Sequence, residues 1–176
     1  MLNELTLDLQ FDRYKSSEQA LAFKHLKFLP KQASAIVLMD RGYRDSTLWG
    51  ALNDRGANIL VRLVKTSSMV KELKRVNFKR WEYRKIHDLT TTYHPPKSAQ
   101  KKHGSTMELK PLPVRVIACR RPGKQSTFFF MTTLLDVEKY PAKALIKLYQ
   151  SRWMIEEDIR VKKCRSEIEN FSGCSV

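Results

Sequence analysis

Residues 3–11, NELTLDLQF, alternate in polarity, with Leu5, Leu7, Leu9 and Phe11 on one parity. Such alternation predicts a half-buried strand. The spacing then changes. In SEQALAFKHLKFL, Ala20, Phe23, Leu26 and Phe28–Leu29 recur at helical intervals, Ser16 or Ser17 can cap the helix, and Pro30 ends it. ASAIVLMD is a short, wholly apolar run, which predicts a strand buried on both faces and parallel to a neighbour. DRGYRDSTLWGALNDRGAN reads as a turn and a helix closed by Gly56, and NILVRLVK as the next strand. Strands and helices in alternation predict an α/β unit with a central sheet.

Residues 65–109 differ in character. Lys and Arg crowd KELKRVNFKRWEYRK, interleaved with Phe78, Trp81 and Tyr83, and PPKSAQKKHGST is a loop. The basic stretch has two readings: a β-hairpin with an aromatic core face and a basic solvent face, or a surface that neutralises a nucleic-acid backbone. LPVRVIACRR and STFFFMTTLL predict a strand pair joined by a turn at Pro122-Gly123. No internal repeat is visible.

The last long segment, YPAKALIKLYQSRWMIEEDIRVKK, has no Gly or Pro after Pro141 and predicts a helix. At ~100° per residue, Tyr149, Arg152, Glu156 and Lys163 fall at roughly 0°, 300°, 340° and 320°, inside a ~60° arc. Leu148, Ile155 and Ile159 lie beside them at roughly 240–280°, so this polar edge borders an apolar one. A phenol, a carboxylate and two cations on one face suit holding a metal ion and gripping phosphates. The same spacing also suits an ordinary amphipathic helix in which Arg152 and Glu156 form an i,i+4 pair.

Asp40 leaves the apolar strand at its carboxyl end and enters a Gly turn. Ligand groups gather at that end of the strands in α/β sheets, although an Asp there can equally initiate a turn.

The 176 residues are enough for one domain. Lys and Arg outnumber Asp and Glu 33 to 18, a net charge of +15, and the pI is 9.9. This excess favours a polyanionic partner. No apolar run approaches the roughly 18 residues of a membrane span, and the amino terminus lacks the charge and hydropathy order of a secretion signal. Cys119, Cys164 and Cys174 are odd in number and far apart, which argues against a disulfide framework or a zinc site. His25, His87, His94 and His103 show no metal-ligand spacing.

Tyr149-x2-Arg152-x3-Glu156-x6-Lys163, with Trp153-Met154-Ile155-Glu156 inside it, resembles the signature of the insertion-sequence-four family of bacterial DDE (Asp-Asp-Glu) transposases. AIVLMDRGY, residues 35–43, is similar to the family's second landmark, a strand ending in an Asp, then any residue, Gly and an aromatic. The resemblance implies an RNase H-like α/β fold, incomplete here, with a β-rich insertion between the second acidic strand and the Tyr-Arg-Glu-Lys helix. It implies a partial catalytic core at 1–65, a basic insertion at 66–136 and the core's C-terminal helix at 137–176.

By the same resemblance, Asp40 and Glu156 are catalytic and metal-binding, while Tyr149, Arg152 and Lys163 hold the DNA backbone. The cofactor implied is Mg2+, or Mn2+ in its place, since both suit all-oxygen ligands. The partners implied are the double-stranded DNA of transposon ends and target, and a homodimer in the full-length family, in the bacterial cytoplasm. The activity is cut-and-paste transposition by metal-dependent phosphodiester cleavage and strand transfer. The family's first Asp, followed by Gly, Ser or Thr on an early strand, has no counterpart. Asp8 and Asp12 do not sit in that motif. The expectation is therefore a chain truncated at both ends, inactive alone but still able to bind DNA.

Two other readings stay open. One is a nonenzymatic nucleic-acid-binding module in which Asp40 and Glu156 are structural. The other is an unrelated metal-dependent nuclease using Glu156 with Lys162 or Lys163, against which the helical spacing argues, because acid–lysine sites of that kind set both groups on one strand.

Overall fold

The computed structural model describes residues 17–29, 35–77, 86–96, 98–99, 109–120, 127–152 and 160–161. The expected strand at 3–11, Pro30, the aromatic cluster Phe78, Trp81 and Tyr83, and the Pro122-Gly123 turn lie outside them, as do Glu156 and Lys163.

Among the described residues the chain is mixed α/β. In order come helix α1 (Glu18–His25) with a 3-10 turn at Leu26–Phe28, strand β1 (Ile36–Met39), helix α2 (Ser46–Asp54), strand β2 (Asn58–Leu63) and helix α3 (Ser68–Asn77). Strands β3 (His87–Tyr93), β4 (Leu112–Arg120) and β5 (Thr127–Thr132) follow, then helix α4 (Ala142–Gln150). The strands form one five-stranded mixed sheet in the order β1-β2-β5-β4-β3. β1 and β2 are parallel, as a strand–helix–strand unit requires, and the remaining pairs are antiparallel. The sheet runs without a break across position 65, since β5 pairs directly with β2.

Strand parity divides the apolar residues between two faces. Met39, Ile59, Val61, Leu63, Val114, Val116, Phe129 and Met131 form one core with residues of α2 and α3, including Leu48, Trp49, Val70 and Leu73. Leu60, Ile117 and Phe130 point the other way and pack with Leu134, Leu145 and Tyr149. The sheet is therefore sandwiched, with α2 and α3 on one side and α4 on the other.

Local chemistry sets the ends of α2. The Asp45 carboxylate accepts the backbone N–H groups of Thr47 at 2.9 Å and Leu48 at 3.3 Å, satisfying donors that the first turn leaves unpaired. At the other end Gly56 adopts φ 76°, and Gly56 N–H and Ala57 N–H bond back to Asn53 O and Leu52 O. That is a Schellman closure, and it needs a residue without a Cβ.

Three expectations are revised. The apolar strand at 36–39 packs on both faces, Val37 and Met39 with the α2-side core and Ile36 and Leu38 with the α4-side core, but less deeply than expected, since only Met39 is fully buried. The start of the basic stretch is a helix rather than a hairpin strand. In α3, Met69, Val70 and Leu73 share one face at helical spacing and are buried, while Lys71 is exposed. Lastly, the segment carries a tightened turn at Ser151, directly after α4. Ser151 donates its hydroxyl to Leu148 O at 2.6 Å and its N–H to the same carbonyl at 3.1 Å. These i−3 bonds tighten the last turn before the helical Arg152.

Candidate functional site

Parity explains how Asp40 comes to face α4. Ile36 and Leu38 pack with the α4-side core, and Asp40 continues their register one step beyond the strand. Its carbonyl accepts Tyr43 N–H at 3.0 Å, closing the Asp40–Tyr43 turn. Two side chains brace this turn from outside: Gln19 of α1 donates to Gly42 O at 3.0 Å, and Trp49 Nε1 donates to Tyr43 O at 3.0 Å. A Cβ on Gly42 would meet nothing within 4 Å, so the mouth of the site is open at this position.

From the opposite layer α4 brings Tyr149 and Arg152 to the same carboxylate. Tyr149 Oη donates to Asp40 Oδ1 at 3.3 Å, across 109 positions of sequence. Arg152 Nη2 stands 3.9 Å from that oxygen, and its guanidinium lies over the Tyr149 ring at 5.5 Å. The Tyr149 ring is nearly buried and meets Phe130 edge-on, with centroids 4.9 Å apart. The Asp40 side chain is 39% exposed and that of Arg152 is 19% exposed, so the carboxylate can be reached from solvent while the arginine is partly walled in.

Electrostatics favour a neutral phenol. Burial, the largest influence, and then the Asp40 charge raise the Tyr149 pKa above its ordinary value of 10.0, against the opposing pull of Arg152. Tyr43 is likewise raised, first by burial and then by Glu18 and Asp40.

Beside these groups a groove of about 400 Å³ runs along the α4 side of the sheet, lined by Arg62, Cys119, Phe128, Phe130, Tyr149 and Arg152 among others. Arg62 lies over the Phe128 ring at 4.7 Å, so two guanidinium groups, each stacked on an aromatic, flank one groove. Sequence reasoning missed Arg62. The signal was present: a charge inside the apolar run NILVRLVK, on the same parity as Leu60, is a residue that must be accommodated for a reason.

Of the five residues expected at the site, Asp40, Tyr149 and Arg152 therefore converge, while Glu156 and Lys163 lie outside the described residues. Among the described residues no group of three His, Cys, Asp or Glu side chains is arranged to hold a metal ion. Asp40 by itself has the right chemistry for one ligand of a hard cation, being a solvent-reachable carboxylate at a strand end. No helix among the described residues is long and apolar enough to cross a membrane.

The sequence model of one family, described as Transposase DDE domain, matches residues 4–172. No curated protein matches the chain.

Proposed function

The chain belongs to the transposase DDE domain family, and on that premise we propose that its α4-side groove grips the phosphates of double-stranded DNA next to a carboxylate site for divalent metal. The observation that carries this reading is the meeting of Tyr149 and Arg152 with Asp40 at the end of β1. A carboxylate that serves only as a turn residue needs no phenol and guanidinium delivered from the far layer of the sandwich. Arg62 and Arg152 supply cationic forks suited to phosphate oxygens, and the net charge of +15 supplies long-range attraction.

Asp40 and Glu156 are the residues that would hold Mg2+ or Mn2+, which when bound activates the attacking water or 3′-hydroxyl and stabilises the leaving oxygen. The chain's own residues do the rest. Tyr149, neutral through the physiological range, donates a hydrogen bond at the carboxylate or to a phosphate arriving there. Arg152 balances charge on the phosphate, and Lys163 contacts a further phosphate along the strand. We place the chain in the insertion-sequence-four branch, acting by cut-and-paste cleavage and strand transfer on transposon ends and target. Residues 66–136 are read as that branch's β-rich insertion on an RNase H-like core (1–65 and 137–176), with β3, β4 and β5 extending the same sheet.

No Asp in an early-strand motif joins Asp40 and Glu156. We therefore read the chain alone as competent to bind DNA and incompetent to cut it. Incubation with end-labelled transposon-end duplex and Mn2+ is expected to give binding without strand cleavage; robust turnover would overturn the second half of this reading. The nonenzymatic alternative draws on the charge excess, and it requires Asp40→Ala to leave DNA affinity unchanged in the presence and absence of divalent metal.

A further inference from the structure

Arg115 is the largest fully buried side chain among the described residues, sitting in the middle of β4 with no exposure at all. Its partners account for its position. Nε donates to Asp88 Oδ1 at 3.2 Å and Nη2 forms an ion pair with Asp88 Oδ2, so a carboxylate on β3 takes one edge of the guanidinium in a two-point fork. From the other edge Nη1 reaches three backbone carbonyls, Leu134 O at 2.9 Å, Tyr140 O at 2.9 Å and Asp136 O at 3.4 Å. All three belong to the connection between β5 and α4.

That connection fixes where α4 begins. Tyr140 N–H bonds to Asp136 O, Lys139 N–H bonds to the Asp136 carboxylate, and Pro141 O accepts the first helical N–H groups, from Ala144 and Leu145. Leu134 and Leu145 then enter the same apolar cluster as Tyr149. A rigid helix transmits a displacement at its first turn to its last. Ala142, where the helix begins, and Tyr149 are seven positions apart, roughly 10 Å along a helix axis, so a tilt at the start carries the phenol and guanidinium away from Asp40.

We propose that Arg115, aimed by Asp88, is a positioning residue for the Tyr149–Arg152 grip: it spends its buried donors on the three carbonyls that set the origin of α4. A charge this deep costs solvation, and a well-packed apolar side chain would hold β4 in the sheet as well or better. Only a planar group with donors on both edges joins β3 to the β5–α4 connection across β4. Lysine, a single ammonium with three donors, cannot span both. The functional meaning of this grip rests on the DNA reading above, but its geometry does not.

The test compares Arg115→Lys with Val70→Ala, a cavity variant in the opposite core layer, both in the full chain and under conditions where each is fully folded by circular dichroism. One readout needs no DNA: the NMR cross-relaxation between the Tyr149 and Phe130 rings, whose centroids are 4.9 Å apart. The other is affinity for a short duplex by fluorescence anisotropy. Arg115→Lys is expected to weaken the ring contact and to lower affinity about threefold or more, with Val70→Ala changing neither. An unchanged ring contact in Arg115→Lys, or an equal loss in Val70→Ala, overturns the proposal. Should Arg115→Lys fail to fold, Asp88→Asn decides by the same readouts, because it keeps the guanidinium and removes the carboxylate that aims it. If Arg152→Ala leaves duplex affinity intact, the DNA reading falls, and the ring contact still decides the positioning role.

Discussion

Replacing Tyr149 by Phe and by Ala separates two jobs that one side chain performs. The ring is 7% exposed, lies edge-on to Phe130 and joins the Leu60, Ile117, Leu134 and Leu145 cluster. Truncating a buried aromatic to Ala costs about 3–5 kcal/mol, including the ring–ring term. The hydroxyl is a smaller matter for stability. Its bond to Asp40 is long at 3.3 Å, and that carboxylate is 39% exposed and can exchange the phenol for water. The net loss in Tyr149→Phe should therefore sit at or below the low end for a hydrogen bond, about 0.5 kcal/mol. Urea unfolding followed by circular dichroism gives both values, and anisotropy on a short duplex gives the affinity of each folded variant. The Phe variant should be nearly as stable as the parent yet bind DNA more weakly, whereas the Ala variant should lose several-fold more stability. Equal losses for Phe and Ala, or a cost below about 1 kcal/mol for Ala, would refute the packing of α4 on this face of the sheet.

Three further outcomes follow from particular contacts. Asp45→Ala removes the acceptor for two N–H groups at the start of α2 and should destabilise by about 1–2 kcal/mol, read from the urea midpoint. Gly56→Ala forces a Cβ into φ 76° and should cost about 1–2 kcal/mol; a neutral result would mean the Schellman closure is not formed. The Tyr149 phenol is held above its ordinary pKa of 10.0, so the unfolded chain loses this proton first. Stability from this group is complete below the unfolded value and declines as pH rises from about 10 toward the folded pKa. Urea midpoints between pH 9 and 11 should fall less steeply in Tyr149→Phe, and parallel slopes would rule out the raised phenol.

Much of the fold could be read from periodicity. The apolar run at 36–39, the β2 strand, the β4–β5 pair, α2 with its glycine closure and the helix after Pro141 each carry a local signal that the structure keeps. The errors came where a local signal had two meanings. Basic and apolar residues in KELKRVN fit a strand face or a helix face, and burial of Met69, Val70 and Leu73 against the sheet decided for the helix. The Ser151 tightening was hidden because serine is compatible with a helix interior, and only its hydroxyl bond to Leu148 O reveals the altered turn. Arg62 and Arg115 were visible as charges inside apolar runs, but their partners lie on strands and connections distant in sequence.

Local periodicity is enough to say which residues share a face: Ile36, Leu38 and Asp40 by the two-residue period of a strand, Tyr149 and Arg152 by the turn of a helix. These are properties of a backbone and need no knowledge of neighbours. That the two faces meet is a matter of long-range packing. Placing α4 across the sheet on the side opposite α2 and α3, with its origin held by Arg115, brings a phenol 109 positions away to the Asp40 carboxylate. Burial of apolar surface between layers determines that meeting, and it depends on the summed shape of both faces, which no local period encodes.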